Sequence, residues 1–202
     1  MTGILFATLL TTGCDRQHNT SHMDFTVTCQ LEGKLHHDSA TLLVLEDAYN
    51  KLLVCGNASD RNGTFTFHGQ TNEAKVALIR WDNDTTRPFL CVLEPGNINI
   101  QIAPGSWHIT GSRQNIEYQR FVNQRNGIMN ARIATWQEYL KMAADSSLKR
   151  DDELRMVRQD SLLNDSLQRM TVERINRCDA VGRIIRERYG NQLDQEHMKM
   201  LK

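Results

Sequence analysis

The sequence predicts a mainly β fold with an added α part: an antiparallel β-sandwich of about eight strands followed by a helical C-terminal region. Between Phe25 and Gly111, short runs of alternating apolar and polar residues are separated by glycine, proline and asparagine, which is typical of sandwiches and barrels. After Ser112 proline is absent and apolar residues recur at spacings of three and four, as in amphipathic helices. No helical pattern separates one strand from the next, which disfavours a parallel α/β sheet.

The 202 residues fit one domain of ordinary size with an appendage. We expect four segments. They are a lipoprotein signal peptide at residues 1–14, a tether at 15–24, the β-sandwich domain at 25–112 and the helical appendage at 113–202.

The N-terminal segment predicts a lipid anchor. Its apolar run, Ile4–Cys14, is too short to span a bilayer as a helix but fits the hydrophobic region of a secretory signal. Gly13-Cys14 resembles a bacterial lipobox, in which processing leaves the cysteine as an acylated N-terminus, so lipidation is predicted at Cys14. Two features depart from that pattern: Thr11 stands where leucine is usual, and no Lys or Arg precedes the run, so we expect translation to start upstream. The alternative is a buried N-terminal strand.

Five strands are predicted between residues 25 and 81. They are Phe25–Gly33, Ala40–Asp47, Lys51–Ser59, Thr64–Gly69 and Ala74–Trp81. Asn62-Gly63 is a strong hairpin signal between the third and fourth. His36-His37 lie in a polar loop and are a weak metal signal, because no third ligand is nearby; a solvated loop is favoured.

Three more strands are predicted in FLCVLEPGNINIQIAPGSWHITGS, residues 89–112. The first has two apolar faces, and the second alternates isoleucines with amides, which we expect to face inward and outward respectively. Pro95-Gly96 and Pro104-Gly105 have the residues that tight turns require. Strands joined by short turns predict an antiparallel meander with one solvated face.

The C-terminal region predicts a helical hairpin. Ser112 is a good N-cap for a long first helix, a polar link covers Ala143–Asp152, and Asp151–Arg177 is a second helix. A short third helix is predicted after Cys178, and another begins near Leu193. We expect the first helix to dock its apolar stripe on the sheet or on a second copy, because it is too large to leave in water. The stripe consists of Phe121, Ile128, Ile133, Trp136 and Leu140.

The charge pattern gives no general drive toward nucleic acid. The formal net charge is zero, although residues 1–112 carry 7 basic and 11 acidic side chains and residues 113–202 carry 17 and 13. Basic residues are interleaved with acidic ones, which does not favour polyanion binding.

The cysteines predict burial rather than redox chemistry. None of the five cysteines forms C-x-x-C. Cys29 and Cys91 lie in phase with apolar strand faces, as buried small hydrophobic residues do. A disulfide among Cys29, Cys55 and Cys91 is the alternative in an oxidising compartment.

No catalytic constellation, cofactor site or metal site is predicted. The seven histidines are scattered and form no H-E-x-x-H motif. Glu94 fits a turn or surface group better than a lone catalytic acid. The three tryptophans fit core or interface packing better than a ligand groove.

Three segments in order carry a family resemblance. They are NGTFTFHG at 62–69, FLCVLEPGNINI at 89–100 and ITGSRQN at 109–115, ahead of a long charged helix. This order resembles the uncharacterised N-terminal domain, domain of unknown function 4369, of Bacteroides-type envelope lipoproteins. That domain often precedes a thioredoxin-like thiol–disulfide oxidoreductase or peroxiredoxin domain, whose W-C-x-x-C motif does not occur in these 202 residues. The resemblance implies a sandwich, a helical region and an envelope location, and it supplies no catalytic residues.

The leading hypothesis is therefore a non-catalytic cell-envelope lipoprotein module that acts as a spacer, binding or dimerisation element. Its expected location is the outer membrane, lipid-anchored and facing the periplasm. The alternative is the accessory N-terminal half of a thiol–disulfide or peroxide-reducing system. Expected partners are the membrane through the lipid anchor, a thioredoxin-like protein and a second copy of the chain, with no nucleic acid.

Overall fold

The computed structural model describes residues 23–33, 37–46, 51–82 and 88–202. Cys14, the signal segment, most of the tether and His36 lie outside these residues. The strands are β1 (Met23–Leu31), β2 (Ser39–Glu46), β3 (Lys51–Ser59), β4 (Thr64–Thr71), β5 (Lys75–Trp81), β6 (Phe89–Leu93), β7 (Gly96–Ala103) and β8 (Ser106–Thr110). The helices are α1 (Arg113–Ala144), α2 (Arg150–Ile175), α3 (Ala180–Tyr189) and α4 (Gln195–Met198), with a 3₁₀ turn at Gly190–Gln192.

The strands form two four-stranded sheets that pack face to face. The outer sheet has the order β4-β1-β7-β8, and the middle sheet has the order β3-β2-β5-β6. Every pairing is antiparallel except that of β1 with β7, which is parallel. The predicted fold class, an eight-stranded sandwich followed by helices, is confirmed.

The sandwich core follows from the period-two alternation of the strands. On β7, Ile98 and Ile100 are fully buried while Asn97, Asn99 and Gln101 are exposed, as the sequence predicts. On β1, Phe25, Val27 and Cys29 point into the same core from the neighbouring strand. The outer sheet therefore presents a polar face to solvent and an apolar face to the middle sheet.

The predicted meander of residues 89–112 is wrong. β6 pairs with β5 in the middle sheet, whereas β7 and β8 pair with each other in the outer sheet. Pro95 and Gly96 thus carry the chain from one sheet to the other. The reason lies in β6: Phe89, Cys91 and Leu93 face the sandwich core, while Leu90 and Val92 face the helices. A strand with two apolar faces needs cover on both sides, which a solvated meander cannot provide.

The Asn62-Gly63 signal is correct locally and wrong for the sheet. Both residues have positive φ, 57° and 77°, and Arg61 and Thr64 exchange backbone hydrogen bonds of 3.0 and 3.2 Å, as in a two-residue hairpin turn. The flanking strands β3 and β4 nevertheless belong to different sheets. The turn chemistry fixes the local reversal of the chain but not the pairing of the strands.

A second core joins the helices to the middle sheet. Val76, Leu90 and Val92 on the outward face of that sheet are buried against the helices. The helical members are Tyr118, Phe121, Val122, Val172, Ile175, Ala180, Val181, Ile184 and Ile185. Docking on the sheet is therefore confirmed for Phe121 and the base of α1. The far part of the predicted stripe does not reach the sheet, and its docking on a second copy stays a prediction.

The start of α1 closes the free edge of the middle sheet at β6. Ser112 is its N-cap and accepts from the Asn115 backbone N–H at 3.2 Å. The Asn115 side chain accepts from Val92 N–H at 2.8 Å and donates to Val92 C=O at 2.7 Å, so one amide replaces the missing neighbour of β6. Glu94 accepts from the Gln114 N–H at 3.0 Å, where a carboxylate favours a helix N-terminus. Glu94 is thus a structural group at a turn, as the sequence favours.

Candidate functional site on the helical hairpin

α1 and α2 form an antiparallel hairpin that extends beyond the middle sheet, against which its base packs. They contain 32 and 26 residues and are about 48 and 39 Å long at 1.5 Å per residue. Contacts between the hairpin and the rest of the chain extend as far as Arg125 on α1 and Asp165 on α2. The Arg125 guanidinium lies 4.2 Å from the centre of the Tyr189 ring, and the Asp165 carboxylate is 3.3 Å from His197. We call residues 126–144 and 150–164 the distal half. Within the described structure, its hydrogen bonds, ion pairs and ring contacts all lie inside the hairpin.

A charged clamp fixes the register of the distal half. Arg132 donates from Nε and Nη2 to the two oxygens of Asp160 at 2.8 and 3.1 Å, and from Nη1 to Asn164 at 2.9 Å. The hydrogen bonds from Arg132 lower the pKa of the Asp160 carboxyl below its usual range. A bidentate pair of this kind adds geometric specificity as well as energy. Next to it, Thr135 and Met156 are buried between the helices.

The distal half has an exposed apolar face that continues the buried face of the base. Eighteen residues are five full turns of an α-helix, so residues eighteen apart lie on the same side. Tyr118 and Val122, buried in the second core, are followed at that spacing by Trp136 and Leu140 on α1.

The same relation holds on α2. Val172 and Ile175, also in the second core, are preceded eighteen residues earlier by Leu154 and Val157. We define the distal face as these four exposed side chains together with Ile133, which precedes Trp136 by three residues on α1. These are Ile133, Trp136, Leu140, Leu154 and Val157, with exposed fractions of 49, 44, 64, 59 and 51%.

The ring of Trp136 is partly exposed. Hydrogen bonds from Arg132, and to a smaller extent from the Trp136 side chain, lower the pKa of the Asp160 carboxyl. The Trp136 ring lies edge-on to Tyr139, with centroids 5.5 Å apart. A partly exposed tryptophan beside a second aromatic ring is the kind of side chain that anchors protein interfaces.

The opposite side of the hairpin base carries an arginine-rich groove of about 590 Å³. Arg169 bonds Asp165 at 2.8 Å and Arg174 bonds Asp179 at 2.7 Å. Arg177 lies 3.8 Å from Glu173. Acidic partners on the chain itself neutralise most of this groove, so its charge does not form an anion site.

The sequence-predicted residues lie in four different environments. Cys14 lies outside the described residues. Trp81 belongs to the sandwich core, Trp107 stacks on Tyr118 at 5.3 Å between the two cores, and Trp136 is exposed. The Nδ1 atom of His37 lies 3.2 Å from the backbone oxygen of Asp82. Over the described ranges, no group of three or more His, Cys, Asp or Glu side chains could hold a metal ion.

The four described cysteines are free thiols. Cys29 and Cys91 are buried in the sandwich core, as predicted, and burial raises the pKa of each thiol to about 12. Cys55 and Cys178 are exposed. The core thiols are therefore protonated at neutral pH and inaccessible, which makes them poor nucleophiles.

Comparison with known proteins bears on the strands and the first turns of α1. Residues 25–118 match the family described as "Domain of unknown function (DUF4369)". The matched residues include Asn115, which bonds β6, whereas the distal half of the hairpin lies beyond them. No curated protein matches the chain.

One solved structure with a weak likeness is that of a proposed cell adhesion protein from Bacteroides ovatus. The TM-score is 0.30 and the sequence identity is 8%, and the match covers 46% of this chain and 44% of that chain. No functional conclusion follows from a likeness of this size.

Two members of the distal face were not found from the sequence. Ile133, Trp136 and Leu140 belong to the predicted stripe of α1, but Leu154 and Val157 were not singled out on α2. The signal was present as the eighteen-residue repeat from Val172 and Ile175. Within the residues that the structure describes, no helix is both long and apolar enough to cross a membrane.

Proposed function

We propose that the protein is a non-catalytic module of the bacterial cell envelope, anchored by lipid on Cys14, with the helical hairpin as its protein-binding arm. The observation that carries the proposal is the distal face. Five large apolar side chains, each about half exposed, lie together on an arm that the sandwich does not cover. Contiguous apolar patches on soluble proteins are typical of interaction sites.

The composition around the distal face supports binding rather than solvation. Asn126, Met129, Gln137 and Ala144 share this side of α1 by helical spacing, and all are uncharged. Depletion of charge at the centre of a patch, with tryptophan and methionine present, is the compositional signal of a protein interface. The Arg132 clamp supports the same function, because a braced arm loses little entropy when a partner binds.

The ionisable groups support a non-catalytic role. The lowered pKa values belong to structural pairs: Asp160 with Arg132, and Asp194 with His197. The pKa of Asp179 is also lowered; burial opposes this shift, and bonds from Arg174 and the Gly182 N–H outweigh it. Catalytic groups instead combine a shifted pKa with an open cleft and a second reacting group.

The anchor is tested in a host that processes lipoproteins. The precursor, extended upstream if required, should incorporate labelled palmitate and fractionate with membranes, and Cys14→Ser should abolish both. Several acyl chains at about 0.8 kcal/mol per buried CH₂ hold a protein firmly on a bilayer. Unchanged labelling and fractionation in Cys14→Ser would refute the anchor.

The binding arm is tested in the same cells with a photo-crosslinking amino acid at position 136. We expect a protein adduct from position 136 and none from position 116, since Ile116 is 46% exposed but lies on another side of α1 by helical spacing. An adduct with a thioredoxin-like protein would favour the accessory-half alternative. No adduct from position 136 would refute the arm.

A further inference from the structure

We propose that the distal face binds the distal face of a second copy. The two hairpins then overlap along their distal halves, with their tips pointing in opposite directions, as an antiparallel four-helix bundle. This inference rests on the proposed function and names the partner of the arm. It concerns the five side chains of the distal face and the uncharged residues beside them on α1.

The exposed area is sufficient for a specific pair. Five large side chains exposed by about half offer on the order of 500 Å² per copy, or about 1,000 Å² for two copies, which reaches the size expected of a biological interface. Both helices contribute: α1 supplies Ile133, Trp136 and Leu140, and α2 supplies Leu154 and Val157. A face spread over two antiparallel helices matches the geometry of another helical hairpin, because each helix then packs between two neighbours.

The position of the sandwich selects the antiparallel arrangement. The eighteen-residue relation places the distal face on the same side as Tyr118, Val122, Val172 and Ile175, which are covered by the middle sheet and α3. Two copies side by side with their tips together would therefore bring two sandwiches into the same space. With the tips reversed, each tip lies against the partner's distal half, and the sandwiches lie at opposite ends.

The association is also self-complementary. A two-fold pair uses the same surface on both copies, and the distal face has no net charge to repel itself. In the pair, the exposed part of the apolar stripe of α1 packs against a helix of the partner, just as the base of α1 packs against the middle sheet. The exposed ring of Trp136 becomes buried at the centre of the contact.

The association is tested by sedimentation of residues 23–202, which contain both hydrophobic cores. We expect a reversible dimer that Leu140→Glu dissociates, with Kd raised at least about 30-fold, as for a hot-spot residue. Ile116→Glu is the control: Ile116 is 46% exposed on the same helix as Leu140, but helical spacing places it on another side of α1. Ile116→Glu should leave Kd unchanged.

The arrangement is tested by disulfide cross-linking in a Cys55→Ser, Cys178→Ser background. Ser147→Cys lies at the hairpin tip and Asn126→Cys at the base of the distal half. In the antiparallel pair, a mixture of the two variants should form a tip-to-base disulfide under mild oxidation. The tip variant alone should not cross-link. A tip-to-tip disulfide as the main product would overturn the antiparallel arrangement.

Failure of the inference is distinguishable from failure of the binding arm. A wild-type chain that remains monomeric up to about 0.1 mM, a concentration that detects even weak association, would overturn self-association. Equal effects of Leu140→Glu and Ile116→Glu would also overturn it. If position 136 then cross-links in cells to a protein other than a second copy, the arm stands and only its partner changes.

Discussion

Replacing Asn115 should open the edge of the middle sheet. This side chain is fully buried, and its amide accepts from Val92 N–H at 2.8 Å and donates to Val92 C=O at 2.7 Å. The same Nδ2 also lies 2.6 Å from the Ser112 hydroxyl oxygen. Asn115→Ala removes all of these bonds and leaves a buried donor and a buried acceptor on β6 without partners.

The expected magnitude follows from those two orphaned groups. A buried backbone group left without a hydrogen bond costs about 1–3 kcal/mol, so Asn115→Ala should lower the free energy of unfolding by about 2–5 kcal/mol. For a chain of this length, the melting temperature should fall by about 5–15 °C. The loss should be cooperative, because the strand and the helix base share the second core.

Asn115→Asp separates the two bonds. A carboxylate can still accept from Val92 N–H, but it cannot donate to Val92 C=O unless it is protonated. The folded state therefore favours the neutral acid and raises its pKa above the unfolded value of about 3.9. The stability that the neutral acid contributes is fully present below the unfolded pKa and is lost as pH rises through the folded pKa.

The assay is urea denaturation followed by far-UV circular dichroism. Asn123→Ala is the control, because Asn123 is an exposed asparagine on the same helix whose side chain bonds Gln119. The control should change stability by less than about 1 kcal/mol. An Asn115→Ala variant within about 0.5 kcal/mol of wild type, with unchanged amide exchange on β6, would refute this role of Asn115.

Three further predictions concern the backbone, the clamp and the thiols. Gly111→Ala should prevent folding or destabilise the protein by several kcal/mol, because its Cβ would collide with the Asn97 carbonyl oxygen. Gly105→Ala, with no atom within 4 Å of its Cβ, should cost only about 1–2 kcal/mol of left-handed strain. Since the pKa of Asp160 is lowered, its contribution to stability is present above pH about 4 and lost at lower pH, so Asp160→Asn should flatten the acid limb of urea midpoint against pH. Ellman's reagent should titrate two of the four thiols in native residues 23–202 and all four after unfolding, because the two core thiols are buried with pKa near 12; four rapid reactions in the native state would contradict the core assignment.

The sequence predicts the individual elements because their signals are local. Alternation on β7 places Ile98 and Ile100 inward, Ser112 caps α1, and Asn62-Gly63 adopts the positive φ angles of a tight turn. Each of these depends on a few neighbouring residues and on their spacing. The sequence also showed that β6 has two apolar faces, but not that β6 would therefore pair with β5 in the middle sheet.

Tertiary structure alone decided which strands share a sheet and which apolar residues are covered. The hairpin signal at Asn62-Gly63 and the turn at Pro95-Gly96 both connect strands of different sheets. At Pro95-Gly96 the reason is that burial of β6 on both sides outweighs local pairing. The stripe of α1 is equally apolar at Phe121 and at Leu140, yet only Phe121 reaches the second core. Coverage depends on where the sheet ends relative to a helix that rises about 1.5 Å per residue, and no local pattern encodes that distance.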